Sequence, residues 1–252
     1  MFVKNLLLAL TSYIKALRYL PRLWKYLLFA VFLLLIFALP VYLADSFFEW
    51  LLSFIPWPFI HSSEKLFISF MASFSGFVLL LILSPVFSLV SEEVYEILSG
   101  EKNPFSLRQL IKDIMRGIKI TLRNLIYEYA FILLLSLIVF ILPQNKIIEE
   151  VALVLNMLVT SYFYGFTLLD YAMENRKMGY RQSVEFVRGH PEVAIGLGMI
   201  YYGMLKITGW TSAFRLAGDY TLYWNSFGEA LVAFIGVIAG TLALHKLINK
   251  KE

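Results

Sequence analysis

The chain has 252 residues, of which 60% are apolar, 17% aromatic and only 16% charged, with a formal net charge of +4. A soluble domain sits nearer ~45–50% apolar and ~25% charged. The apolar residues here also come in blocks, so the composition is that of an integral membrane protein and leaves no place for a nucleic-acid partner. Cysteine is absent, which removes disulfides, thiol nucleophiles and thiolate metal sites.

Residues 1–25 carry Lys4, Lys15, Arg18, Arg22 and Lys25 with no acid among them, and they read as a basic amphipathic helix. No small-residue cleavage site closes the apolar run that follows, so that run is expected to remain as a signal anchor. It extends from Tyr26 to Ala44, nineteen residues without a charge, close to the ~20 that cross a bilayer. A loop over 45–65 contains Asp45, Glu49 and Glu64, and its Trp50 and Trp57 suit the membrane interface. Leu66 to Val90 is a second long run, expected to bend or end near Ser84-Pro85. Residues 26–90 therefore hold two long spans.

From Ser106 to Tyr127 the pattern changes. Lys112, Arg116, Lys119 and Arg123 recur at steps of four, three and four, on one helical face. Leu107, Ile111, Ile114, Ile118, Leu122 and Leu125 occupy much of the other. This is a basic amphipathic helix of the kind that lies on anionic lipid headgroups. It leads into Ala130 to Leu142, thirteen apolar residues stopped by Pro143. At ~1.5 Å per residue that run reaches about 20 Å, short of a ~30 Å core. Val151 to Leu169 returns as a run that could span. Val193 to Ile207 and Ala230 to Leu244 make a second pair of fifteen residues each, separated by a stretch with Arg215, Asp219 and Trp224. The expected fold is an all-α integral membrane protein. It has two long transmembrane helices, two partly re-entrant (half-inserted) helical hairpins and amphipathic surface helices. The whole chain, 1–252, forms one polytopic domain, with a first hairpin within 106–175 and a second hairpin and basic tail in 176–252. A buried hairpin tip needs protein or water to satisfy its backbone.

Lysine and arginine set the orientation. Residues 1–25 hold five, 91–127 six, 170–192 four and the tail after Leu244 three, against one in 45–65 and one in 143–150. Both termini should face the cytoplasm of a multi-pass inner-membrane protein.

Two stretches carry a resemblance to a known family. "SPVFSLVSEEVYEILSG" (84–100) is similar to a block reading roughly A-P-F-x-x-x-L-A-E-x-x-E and ending in glycine, through Pro85, Phe87, Leu89, Glu92, Glu96 and Gly100. "LLDYAMENRKMGYRQSVEFVRGHPEVAIGLG" (168–198) resembles a block opening D-Y-P-x-D/E-N. Asp170, Tyr171, Glu174 and Asn175 match that opening, and Ala172 stands where proline is usual. Both are blocks of the CysZ sulfate permease family, to whose wider superfamily the etoposide-induced 2.4 proteins belong. The resemblance implies two long spans with two half-inserted hairpins, a homo-oligomer, and passage of sulfate into the cytoplasm. It also implies an anion-binding motif of the form P-G-[IL]-R-R before the first span. The corresponding stretch here is Pro21-Arg22-Leu23-Trp24-Lys25. Glycine, which allows close backbone approach, is replaced by Arg22, and the arginine pair by Trp24 and Lys25, which lacks the planar fork of arginine.

The sequence therefore offers Arg22 and Lys25, with Arg18, as candidate anion ligands that would concentrate an oxyanion. The same residues also read as ordinary snorkelling bases that set topology. Asp170, Tyr171, Glu174 and Asn175 read as a helix-end motif that holds helices together, with Arg176 or Arg188 as bases for its acids. Glu92, Glu93 and Glu96 suit the start of a cytoplasmic helix. Gly236 and Gly240 form G-x-x-x-G, a packing seam within one chain or between chains. Gly196-x-Gly198 lacks the strand and acidic follower of a dinucleotide loop. His61, His190 and His245 show no HExxH-type spacing, so no metal or cofactor is expected. The spans show neither a Ser/His pair nor paired aspartates, so an enzyme is not expected. The expected function is a permease or channel for sulfate or a related inorganic oxyanion. The alternative is a non-transporting scaffold that binds lipid or a partner through the Lys112–Arg123 stripe.

Overall fold

The computed structural model describes residues 2–33, 80–100, 107–142, 146–213 and 221–249, and all of its regular structure is α-helical. The expected first span beyond residue 33, the 45–65 loop, most of the 66–90 run, and Arg215 and Asp219 lie outside these residues. Helix α1 (Phe2–Ala16) is followed by a turn at 17–19 and a helical stretch over 20–33. Next comes α2 (Ser84–Ser99), with Pro85 in its first turn, where no backbone N–H is needed. It ends at Gly100, whose φ of 74° only glycine adopts without strain and whose N–H donates to the Glu96 carbonyl.

Helix α3 (Leu107–Ile141) runs for 35 residues without a break. The expected surface helix and the short apolar run are one element, because Tyr127-Glu128-Tyr129-Ala130 contains no proline or glycine to stop the first before the second. Met115–Ile141 is long and apolar enough to cross a membrane, as are Lys146–Asn175 and Gly228–Ile248. Length therefore does not oblige α3 to stop half-way. Helix α4 (Lys146–Asn175) returns from α3, and the short α5 (Tyr180–Gly189) leads into α6 (Pro191–Ala213) and α7 (Thr221–Ile248).

Helix α4 is the axis of the bundle. Helix α6 packs along it, α2, α3 and α7 lie against its other sides, and α1 is clasped by α6 and α7. The closest approach is between α4 and α6. A Cβ on Gly165 would collide with the Ala194 carbonyl, and one on Gly198 with the Ser161 carbonyl. Gly240 brings α7 onto the Leu168 carbonyl, where an added Cβ would lie 2.6 Å from the oxygen, while Gly236 faces the Leu168 side chain. The G-x-x-x-G pair thus faces α4 of the same chain. Around these contacts Tyr164, Phe166, Leu168, Tyr201 and Phe234 are fully buried, and Tyr164 meets Tyr201 edge-on at 4.9 Å. Tyr13 ties α1 down by donating to the Leu197 carbonyl (3.0 Å). Burial pushes its phenol well above the ordinary range, so it stays a neutral donor.

Helix α4 ends in a Schellman turn. The Lys177 N–H donates to the Glu174 carbonyl (2.7 Å) and the Met178 N–H to the Met173 carbonyl (3.1 Å). Lys177 takes the left-handed position, with φ 55°, where a Cβ is strained. Lys177→Gly is expected to stabilise the protein by about 0.5–1 kcal/mol. The check is the thermal midpoint in detergent, and a midpoint lowered by glycine would contradict this account.

Candidate functional site

The two family-like stretches meet in space. Phe87 of α2 is fully buried and packs edge-on against Tyr171 of α4, ring centroids 5.6 Å apart. The Tyr171 hydroxyl donates to the Leu80 carbonyl (2.9 Å). One turn on, Ser88 reaches Glu174 (3.4 Å), and the Asn175 amide donates to the Ser91 hydroxyl (2.8 Å). Ser91 in turn lies 2.8 Å from Thr241 of α7. These groups share one seam because their helical spacing puts 171, 174 and 175 on one face of α4. Glu92 and Glu96 sit further along α2, half-buried.

Asp170 faces the other way, toward α3. Its carboxylate accepts from Arg116 at 2.7 Å, with 4% of the Asp side chain and 16% of the Arg side chain exposed. The same guanidinium donates to the Ser183 hydroxyl of α5 (2.6 Å) and to the Met178 carbonyl. Arg116 therefore holds the end of α4, the turn after it and the start of α5 together. The bases nearest Asp170 in sequence go elsewhere. Arg176 points at His245 of α7 (3.4 Å) and lies over the Tyr95 ring, and Arg188 is exposed. Arg123, expected on the same outward stripe as Arg116, is anchored on its neighbour Asn124 and lies over the Phe166 ring at 4.5 Å. The four bases of the stripe thus divide: Lys112 and Lys119 are exposed, while Arg116 and Arg123 turn inward. An antiparallel pair of long helices brings the start of one beside the end of the other, which pairs residue 116 with residue 170.

Deeper in the α3–α4 seam, Asn124 donates to Thr167 (3.2 Å) and Thr160 to Glu128 (2.5 Å). Glu128, Asn124, Thr160 and Asn156 are all fully buried. Polar groups at membrane depth must satisfy one another or a wet cavity, so this row distinguishes the seam from a purely apolar one. Sequence reading missed it. Asn156, Thr160 and Thr167 recur at steps of four and seven, which is one helical face. It also missed the Gly165–Gly198 contact, whose signal is Ser161-x-x-x-Gly165 facing Ala194-x-x-x-Gly198.

Arg18, Arg22 and Lys25 lie at the foot of the helical stretch 20–33. Arg18 lies in the turn at 17–19, which separates Lys15 at the end of α1 from Arg22 and Lys25, so these bases are not carried by one continuous helix. Arg18 and Arg22 are exposed, and among the described residues no ion pair engages either. The Arg22 N–H donates to the Tyr19 carbonyl (3.0 Å), which leaves its guanidinium rather than its backbone to meet an anion. Lys25 lies 3.9 Å from Glu93, which also accepts from the Tyr26 hydroxyl (2.8 Å). Its charge is partly answered within the protein. Among the described residues no group of three histidines, aspartates or glutamates stands close enough to hold a metal ion.

An all-helical bundle with, among the described residues, three helices of membrane-spanning length and a buried polar seam defines an integral membrane protein. The chain belongs to the family described as sulfate transporter CysZ/etoposide-induced protein 2.4, whose model matches residues 7–211. The match takes in both meeting blocks and the basic segment before residue 26. No curated protein matches the sequence.

Proposed function

We propose that this protein passes sulfate or a related inorganic oxyanion across the inner membrane into the cytoplasm, working as a homo-oligomer with both termini on the cytoplasmic side. The observation that carries this reading is the family match over residues 7–211. Within it, Arg18 and Arg22 stand exposed and without an ion pair among the described residues. A guanidinium offers an oxyanion two parallel charge-assisted hydrogen bonds. Arg22 is the principal ligand in this reading, Arg18 gathers anions at the surface, and Lys25 exchanges Glu93 for the anion. The helix-end motif of Asp170, Tyr171, Glu174 and Asn175 locks the bundle and does not touch the ion.

The test is uptake of labelled sulfate into liposomes containing the purified protein, with phosphate and chloride as competitors. Selective sulfate flux is expected. Arg22→Gln should weaken apparent affinity about tenfold, the size of one lost hydrogen bond to a charged group. Lys25→Gln should cost less, because Glu93 already draws on that charge. Flux unchanged in the double variant would remove both residues from the mechanism. A well-folded, inserted protein without flux would favour the second reading, a lipid- or partner-binding scaffold. That reading draws support from Lys112 and Lys119, exposed beside exposed Ile111 and Met115.

A further inference from the structure

We infer that the groove between α3, α4 and α5 is a binding site for one anionic phospholipid. The groove has a volume of about 480 Å³. Its rim carries Arg123 and Arg188, and its walls include Tyr127, Phe131, Tyr162 and Phe163. Arg123 is already in place: Nε and Nη2 both donate to the Asn124 side-chain oxygen (3.2 and 2.6 Å), and the guanidinium lies over Phe166 at 4.5 Å and Tyr180 at 5.7 Å. Arg188, supplied by α5, is exposed and lines the same groove. Among the described residues no ion pair engages either arginine, and no carboxylate lines the groove.

The Arg123 guanidinium stands at one end of the groove's α3 wall and Phe131 at the other. From Arg123 to Phe131 is about 12 Å along α3 at ~1.5 Å per residue. Over that distance the wall changes from guanidinium to aromatic and aliphatic carbon, with two tyrosine hydroxyls as the exceptions. A small inorganic anion would use the rim and leave the rest unfilled. A neutral hydrocarbon would leave two arginines unanswered. A phosphodiester headgroup with an acyl chain matches both. Tyr127 is 57% exposed and Ile126 beside it 65%, so the groove opens on the face of α3 that meets lipid. Its charged rim lies at the base-rich end of the helix, the side where anionic lipid collects.

The test is native mass spectrometry of the full-length protein in detergent, titrated with phosphatidylglycerol and, in parallel, with phosphatidylcholine. One phosphatidylglycerol should bind in preference to phosphatidylcholine. Arg188→Gln, a surface change that does not threaten folding, should weaken it about fivefold, and Arg123→Gln/Arg188→Gln by more. Val159 of α4 also lines the groove, and Val159→Trp should block it and abolish retention with both charges intact. Lys112→Gln/Lys119→Gln, on the outer face of the same helix, should leave binding unchanged, and millimolar sulfate should not compete. Four results would each overturn the assignment. They are equal retention of both lipids, full retention by the groove variants, equal loss in the lysine variant, and displacement by sulfate. The last would make the rim a site for the inorganic ion.

Discussion

Arg116→Ala should destabilise the protein by about 3–5 kcal/mol, the cost of leaving a buried carboxylate without its partner. An exposed ion pair contributes only about 0–1 kcal/mol, and burial decides which figure applies. Asp170 has 4% of its side chain exposed and Arg116 16%. Arg116 also supplies the Ser183 hydroxyl and the Met178 carbonyl, so its loss undoes α5 and the turn after α4 as well. Replacing both charges, as Arg116→Leu/Asp170→Leu, should recover much of the loss, because two well-packed apolar side chains remove the desolvation penalty with the pair. Denaturant titration in detergent of the two single variants and the double one measures the coupling. Costs that simply add would show that the pair does not act as a unit.

Gly198→Ala should be nearly as damaging, at about 3 kcal/mol or more, beyond the usual range for overpacking by one methyl group. The added carbon would meet the Ser161 carbonyl, and backbone cannot rotate aside as a side chain can. Gly165→Ala, against the Ala194 carbonyl, should behave alike. Gly203, on the same helix α6, has nothing within 4 Å of an added Cβ. Gly203→Ala should leave stability unchanged or raise it by up to about 1 kcal/mol through helix propensity. Thermal midpoints and the monodisperse fraction on size exclusion distinguish the three. Equal stability of the Gly198 and Gly203 variants would mean that α4 and α6 are not in backbone contact.

The helix-end motif shows how far residue-level reading reaches. An aspartate, a glutamate and an asparagine closing an apolar run announce that a membrane helix ends there and that its polar groups need partners. They do not announce which partners. Asp170 pairs with Arg116, 54 residues away, and not with Arg176 or Arg188 nearby, because α4 stops at Asn175 and Arg176 turns toward α7. The basic stripe from Lys112 to Arg123 carried the same ambiguity. Its spacing places four bases on one broad face of α3, but that face is wide enough to straddle the seam with α4. Two of the bases reach inward and two outward. The apolar run Ala130–Leu142 is short for a span by itself, but it belongs to a helix of 35 residues, within which Met115–Ile141 is long and apolar enough to cross a membrane.

Composition and the length of the apolar runs determined by themselves that this is an all-helical membrane protein, since lipid admits few other ways to satisfy a backbone. The two motif blocks were enough to indicate its family. Proline and glycine marked the ends of α2, because φ and the missing N–H are properties of single residues. Which glycines bear helix contacts, and which arginine answers Asp170, only the tertiary structure decided. So too with the pairing of Phe87 with Tyr171 and the groove behind Arg123. Each depends on two segments far apart in the chain arriving within a few ångströms. Helical periodicity specifies a residue's direction about its own axis but leaves open which helix stands there.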